Sequence, residues 1–246
     1  MKNKKVVLTY YYTGEMDNIH HHEVHKCDPE DFKILKKSLQ GQGYDFVTLA
    51  NELYPDNNKD WKVVELSGDY KKPEDMTLYV HKFIACYKFL LNHPEYEEIW
   101  IVDSSDTEMI TQPVPEEDML YTGYDAFFPE FDRHVNYAWF LGAFKYGVWI
   151  KRGFGRHARH GDVEEKYLRD LHLEDIPYNC GVFGGKRKIV MEFLQKYAER
   201  LEKNDIDLEM VIFNYILRHD YPDRTEVCTT RMTLREHDYH KWWRHK

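Results

Sequence analysis

The chain has 246 residues, 42% of them hydrophobic and 15% aromatic, with a formal net charge of -9. That composition supplies a core and excludes wholesale disorder, and the acidic balance excludes coating nucleic acid through the overall field, while leaving room for a local basic patch. No apolar run reaches the roughly 18 residues of a membrane span, no signal-like apolar segment follows the basic start, and Cys27, Cys86, Cys180 and Cys228 form no CxxC pair, so reduced thiols in a cytosol are expected.

Lys4–Tyr12 (KKVVLTYYY) reads as a first strand with Val6, Val7 and Leu8 buried, ended by Thr13-Gly14. Asp28-Pro29 reads as an N-cap with proline at the first helical position, and Phe32, Leu35, Lys36 and Leu39 continue at helical spacing until Gly41 and Gly43. Tyr44–Leu49 and Trp61–Leu66 read as the second and third strands. Pro73-Glu74-Asp75 is expected to open a second helix, with Val80, Phe83, Ile84, Tyr87, Leu90 and Leu91 on its apolar face and His93-Pro94 at its end. A strand carrying Ile99, Trp100, Ile101 and Val102 follows. To this point the order is β-α-β-β-α-β, the alternation of a parallel-rich sheet with helices on its faces.

Further on, Asp118–Phe128 reads as a strand and Arg133–Ile150 as buried and partly helical. Lys151–His160 (KRGFGRHARH) reads as a basic loop and Val163–Leu171 as a short helix. Asn179–Gly185 reads as a strand bounded by glycines, Arg187–Leu201 and Asp207–Leu217 as helices, and Thr225–Thr230 as a last strand. Trp242 and Trp243, in the closing stretch REHDYHKWWRHK, would expose a large apolar area, so that stretch is expected to fold back. There are no repeats and no low-complexity linker, and one domain is expected.

The chemistry-bearing stretch is Asp103-Ser104-Ser105-Asp106, where the apolar strand breaks off. Two carboxylates and two hydroxyls at the rim of a sheet suit Mg²⁺ or Mn²⁺, ions that commonly bind substrate phosphates as well. An Asx or Ser turn closing the strand is the plain alternative. Lys82 reads either as a solvated helix lysine or as a cation near phosphates. The glycines of Asn179-Cys180-Gly181-Val182-Phe183-Gly184-Gly185 allow close backbone approach or a bulged strand. Asp207 reads as a helix N-cap, with Asn214 on the same face. A histidine of the closing stretch can complete an Asp/Asp/His shell. His20, His21, His22 and His25 form a rival cluster, whose spacing suits one helical face and a metal hydrolase.

Together VVLTYYYTG, the helix with Lys82, VDSSDTEM, NCGVFGG, DLEMVIFN and HDYHKWW resemble the nucleotide-sugar-dependent glycosyltransferases of the GT-A fold, and more narrowly small members from bacteriophages and bacteria. The resemblance runs from about Val6 to Trp243 and implies one Rossmann-like α/β domain with a mixed, mostly parallel sheet flanked by helices. Its nucleotide-sugar part would span about 1–112 and its acceptor and metal-completing part about 113–246. It implies a Mn²⁺- or Mg²⁺-dependent transfer of a hexose from a UDP-type sugar. Asp103 would hold the ribose or the metal, Asp106 the metal, and Ser105 a direct or water-mediated oxygen contact. His237 would be the third metal ligand, with His240 its alternate in the register of HDYHK. Lys241 would contact the diphosphate and Lys82 the donor, Asn179, Gly181, Asp207 and Glu209 would frame donor sugar and acceptor, and Thr9, Tyr10 and Tyr11 would meet the base.

The motif is D-x-x-D rather than D-x-D, and retention and inversion both stay open; an inverting reaction would draw its base from Asp125, Asp207 or Glu209. Some relatives glucosylate hydroxymethylated pyrimidines in DNA. Arg152, Phe154, Arg156 and Arg159 of the basic loop offer phosphate contacts and a stacking ring for such an acceptor, and a lid over the diphosphate fits the same loop. The alternatives are a glycan or protein acceptor, and a non-catalytic nucleotide-sugar or nucleic-acid binding module. A cytoplasmic protein is implied (the host cytoplasm if phage-encoded), with no membrane and no obligate protein partner.

Overall fold

A computed structural model describes residues 4–14, 16–17, 22–23, 29–52, 61–74, 76–124, 178–204, 209–231 and 242–245. The elements are β1 (Lys4–Tyr11), a two-stranded ribbon of β2 (Met16–Asp17) and β3 (His22–Glu23), α1 (Lys33–Leu39), β4 (Asp45–Ala50), β5 (Lys62–Glu65) and α2 (Leu78–Asn92). They continue with β6 (Tyr96–Val102), β7 (Thr107–Met109), β8 (Leu120–Tyr124), β9 (Tyr178–Lys186), α3 (Arg187–Asn204) and α4 (Glu209–Asp220). Last come β10 (Thr225–Val227), β11 (Thr229–Arg231) and β12 (Trp243–His245).

Seven strands form one sheet in the order β10-β8-β9-β6-β1-β4-β5. All neighbours pair in parallel except at β9, which runs against both β6 and β8. The fold is therefore mixed α/β, with a mostly parallel sheet flanked by helices. In β6 every residue from Ile99 to Val102 is fully buried, because both faces of the sheet are covered. Alternation sends Ile99 and Ile101 toward α2, α3 and α4, where Phe83, Phe89, Phe183, Phe193 and Phe213 meet. Trp100 and Val102 enter a second core with Phe32, Leu35, Trp61, Tyr121 and Trp243.

Gly184 of β9 lets the Trp100 ring lie against the strand: a Cβ there would overlap that ring and the Ile99 carbonyl. Because backbone cannot yield as a side-chain tip does, Gly184→Ala is expected to cost about 1–3 kcal/mol. Urea denaturation at neutral pH measures it, and an unchanged midpoint would show that β9 shifts freely.

Several elements differ from the sequence reading. Pro29–Phe32 forms a 3₁₀ turn, and the α-helix expected from Pro29 begins at Lys33. The second helix begins at Leu78 rather than at Pro73: Thr77 caps it by accepting from Val80 N–H, while Lys72 Nζ closes a separate turn onto the carbonyls of Pro73 and Met76. Thr225–Thr230 is two strands, β10 in the large sheet and β11 in a second, three-stranded sheet of order β11-β12-β7. Cys228 makes the break. Its N–H donates to the Thr122 carbonyl, and its own carbonyl accepts from Trp242 and Trp243 N–H.

Candidate metal centre

The first four strands of the large sheet lie side by side as β5-β4-β1-β6, so the chain builds outward from β1 and then returns to its other flank. In such a sheet the crevice at the carboxyl ends of the two strands flanking the reversal is the expected ligand site. Here those strands are β1, which ends in Tyr10 and Tyr11, and β6, which runs directly into Asp103.

The turn from Asp103 to Asp106 is held at both ends. Asp103 N–H donates to the Gly181 carbonyl at 2.8 Å, and after Asp106 the chain enters β7. β7 pairs antiparallel with β12 in a register that sets His245 opposite Thr107, the residue following Asp106. Trp243 anchors β12 by burying its ring against Trp100. His245 Nε2 consequently lies 3.4 Å from Asp103 Oδ2 and 3.7 Å from Asp106 Oδ1. One ligand atom from each of the three residues falls within 4.8 Å of the others. Two hard oxygens and an imidazole at this spacing fit a divalent ion such as Mn²⁺, since cis ligands on bonds of about 2.1 Å sit near 3 Å apart and small rotations close the difference. Gly181 makes the approach possible, because a Cβ there would fall inside the His245 imidazole.

Lys82 lies behind the carboxylates, buried on α2. Its ammonium reaches Asp103 Oδ1 at 3.1 Å, the Cys180 carbonyl at 3.2 Å and Glu209 Oε1 at 3.4 Å. The first two accept hydrogen bonds from the ammonium, and Glu209 faces it as an ion pair. Burial works against its charge, yet Asp103 and Glu209 hold the ammonium well above the usual lysine range. Burial likewise opposes the charge of Asp103, but Lys82 and His245 keep that carboxyl well below its usual range. For Glu209, at the start of α4, burial outweighs the pull of Lys82 and the pKa is raised. Burial would lower the pKa of His245, and its hydrogen bond and charge interaction with Asp103 raise it instead.

Among the expected site residues, Asp103, Asp106, Lys82, Gly181 and Glu209 are thus brought together. Asn179 joins them through its side-chain oxygen, which accepts from Gly181 N–H at 2.7 Å, and Ser105 is exposed on the turn. Of the residues at the end of β1, Thr9 is wholly buried, while Tyr10 and Tyr11 are partly exposed. Tyr11 donates to Asp31, and the Tyr10 hydroxyl pairs with His81 Nδ1. Asp125, Arg152, Phe154, Arg156, Arg159, Asp207, His237, His240 and Lys241 lie outside the described residues. The histidine that completes the cluster is His245, which the reading of HDYHK passed over. Only its place two residues beyond Trp243, a ring that has to be buried, pointed to it. Asn214 is structural: its side chain bonds the backbone of Tyr178 and Met210 and ties α4 to β9. In the rival histidine cluster, His22 stands in a strand paired with Met16–Asp17 rather than on a helix; His20, His21 and His25 lie outside the described residues.

His81 gives the neighbourhood a pH dependence of its own. It is fully buried and its Nε2 has no hydrogen-bond partner among the described residues. Burial, with the charges of Lys88 and Lys72 adding to it, lowers its pKa to about 4. Below an ordinary histidine pKa of about 6.5 the unfolded chain takes up this proton and the folded one does not, so stability falls with pH. The loss is about 1.4 kcal/mol per pH unit down to about pH 4, or about 3 kcal/mol in all. Urea midpoints between pH 7 and 4.5 are expected to fall less steeply for His81→Gln than for the parent protein. Parallel curves would assign the loss to other groups.

Among the described residues no helix is long and apolar enough to cross a membrane. The chain matches no model of a known protein family, and no curated protein is significantly similar to it.

Proposed function

We propose that the protein is a metal-dependent glycosyltransferase of the GT-A fold, moving a hexose from a nucleoside-diphosphate sugar, of UDP type, to an acceptor hydroxyl. The observation that carries this reading is the Asp103–Asp106–His245 cluster at the carboxyl edge of a parallel sheet, at the point where strand order reverses. A divalent ion held there would supply charge neutralisation for a diphosphate leaving group.

The chain's own residues do the rest. Asp103 offers Oδ1 to Lys82 and turns Oδ2 toward His245, so one carboxylate is oriented by two partners. Lys82, bonded to Asp103 and to the Cys180 carbonyl, acts on the site through Asp103 and offsets part of the charge of Asp103 and Glu209. Glu209 faces Lys82 from the protein side and is 7% exposed, a position that suits support of that lysine. Base duty in an inverting reaction would then pass to Asp125 or Asp207. Tyr10 and Tyr11, at the end of β1, are the residues we assign to the base.

The acceptor we would test first is a 5-hydroxymethylpyrimidine in DNA, a choice resting on the basic stretch with Arg152, Phe154, Arg156 and Arg159. The test is a panel of nucleotide sugars with Mn²⁺, with unmodified or hydroxymethylated DNA, and nucleoside diphosphate release as readout. Release that needs Mn²⁺ and ceases on chelation is expected. A protein that binds Mn²⁺ and releases diphosphate from no nucleotide sugar would overturn the reading.

A further inference from the structure

The metal cluster is assembled from two parts of the chain held together by very little backbone pairing. Asp103 and Asp106 sit on the rim of the large sheet. His245 comes from β12, which belongs to the small sheet, whose three strands have three residues each. Sheets this small are marginal by themselves. What docks β12 is the buried ring of Trp243, the Arg244 guanidinium donating to Glu108 at 2.7 Å, and the bonds from Trp242 and Trp243 N–H to the Cys228 carbonyl and from Ile110 N–H to the Trp242 carbonyl. The Arg244–Glu108 pair is partly exposed on both sides, so it is a weak tether. Without a metal, His245 itself adds only its contacts with Asp103 at 3.4 Å and Asp106 at 3.7 Å.

We infer that β12 is a clasp locked by the metal: docking of the strand and occupancy of the Asp103–Asp106–His245 site are one coupled equilibrium. While β12 is docked it holds the His245 ring beside the two aspartates, and lifting β12 takes that ligand away from the ion. By linkage, occupancy stabilises the docked strand by up to the factor 1 + [Mn²⁺]/Kd, less whatever affinity the two aspartates keep with β12 undocked, and loss of the ion frees it. The inference rests on the metal reading of this site, and it holds or fails whether or not the site transfers sugar.

Amide hydrogen exchange of the whole chain, followed by mass spectrometry with and without Mn²⁺ and with no nucleotide present, tests it. At 100 times Kd, exchange across β12 and its partners β7 and β11 is expected to slow by more than about 10-fold and up to about 100-fold, while β5 at the far edge of the large sheet changes little. Arg244→Ala is expected to exchange about three- to fivefold faster at β12 without metal, and to regain protection with Mn²⁺. In His245→Ala, saturated through its two aspartates, Mn²⁺ is expected to leave β12 exchange unchanged. Equal protection in His245→Ala, uniform slowing that includes β5, or no Mn²⁺ binding to the parent protein would each overturn the clasp. Clasp behaviour without diphosphate release would count against the glycosyltransferase reading alone, and metal-dependent release without clasp behaviour against the clasp alone.

Discussion

Alanine at Asp106 is expected to yield a folded protein whose Mn²⁺ affinity falls by more than about 100-fold, since removing even an outer partner of a metal ligand costs 10–100-fold. Diphosphate release from a nucleotide sugar should be lost in parallel. Stability without metal should change little, because the His245 imidazole that Asp106 approaches at 3.7 Å keeps its nearer contact with Asp103 at 3.4 Å. The measurement is Mn²⁺ titration by calorimetry or electron paramagnetic resonance beside a thermal melt in chelator. His245→Ala should match Asp106→Ala, while His237→Ala and His240→Ala should bind as the parent protein does. Parent-like affinity in Asp106→Ala would sink the metal assignment, and loss at His237 or His240 alone would move the third ligand.

The largest effect on stability is expected at Lys82. Lys82→Met removes the cation that faces Glu209, a carboxylate sealed between α2, β9 and α4. Breaking one side of a buried pair costs about 3–5 kcal/mol, and Glu209 limits the loss by keeping its proton. The sign with pH follows. In the variant the folded protein holds that proton at a pH where the unfolded chain has released it, so the variant loses stability as pH rises above about 4.3 toward the raised Glu209 pKa. A deficit of about 3 kcal/mol is expected at pH 8, shrinking toward pH 5. Lys82→Met with Glu209→Gln should recover most of it, because a neutral amide needs no counter-charge. Denaturant curves for the two variants at both pH values decide this. If Lys82→Met is as stable as the parent protein at pH 8, Asp103 and Glu209 do not share that cation as described.

Much of this was legible in the residues. Val6–Leu8 and Ile99–Val102 are apolar at every position, which only a strand buried on both faces tolerates, and the helices between them gave the parallel half of the sheet. The break from Val102 into Asp103-Ser-Ser-Asp106 marked the rim. The start of α2 was harder, since Pro73-Glu74 carries helix-opening chemistry, yet the Lys72 ammonium spends itself on the carbonyls of that turn. No local pattern announces β7 or β12, because three residues show no period and a strand that short exists only by pairing across the fold.

The sequence by itself determined the α/β order, the carboxylates at the end of β6 and the need to bury Trp242 and Trp243. Tertiary structure alone decided that His245 is the histidine that reaches them, because the register of β12 on β7 and the missing Cβ of Gly181 set its ring beside Asp103. It also decided that Lys82 is buried between Asp103 and Glu209 rather than solvated. Spacing along the chain carries no information on either point. Each depends on strands and helices more than 20 residues apart meeting at one edge of a sheet, where burial makes every charge find a partner.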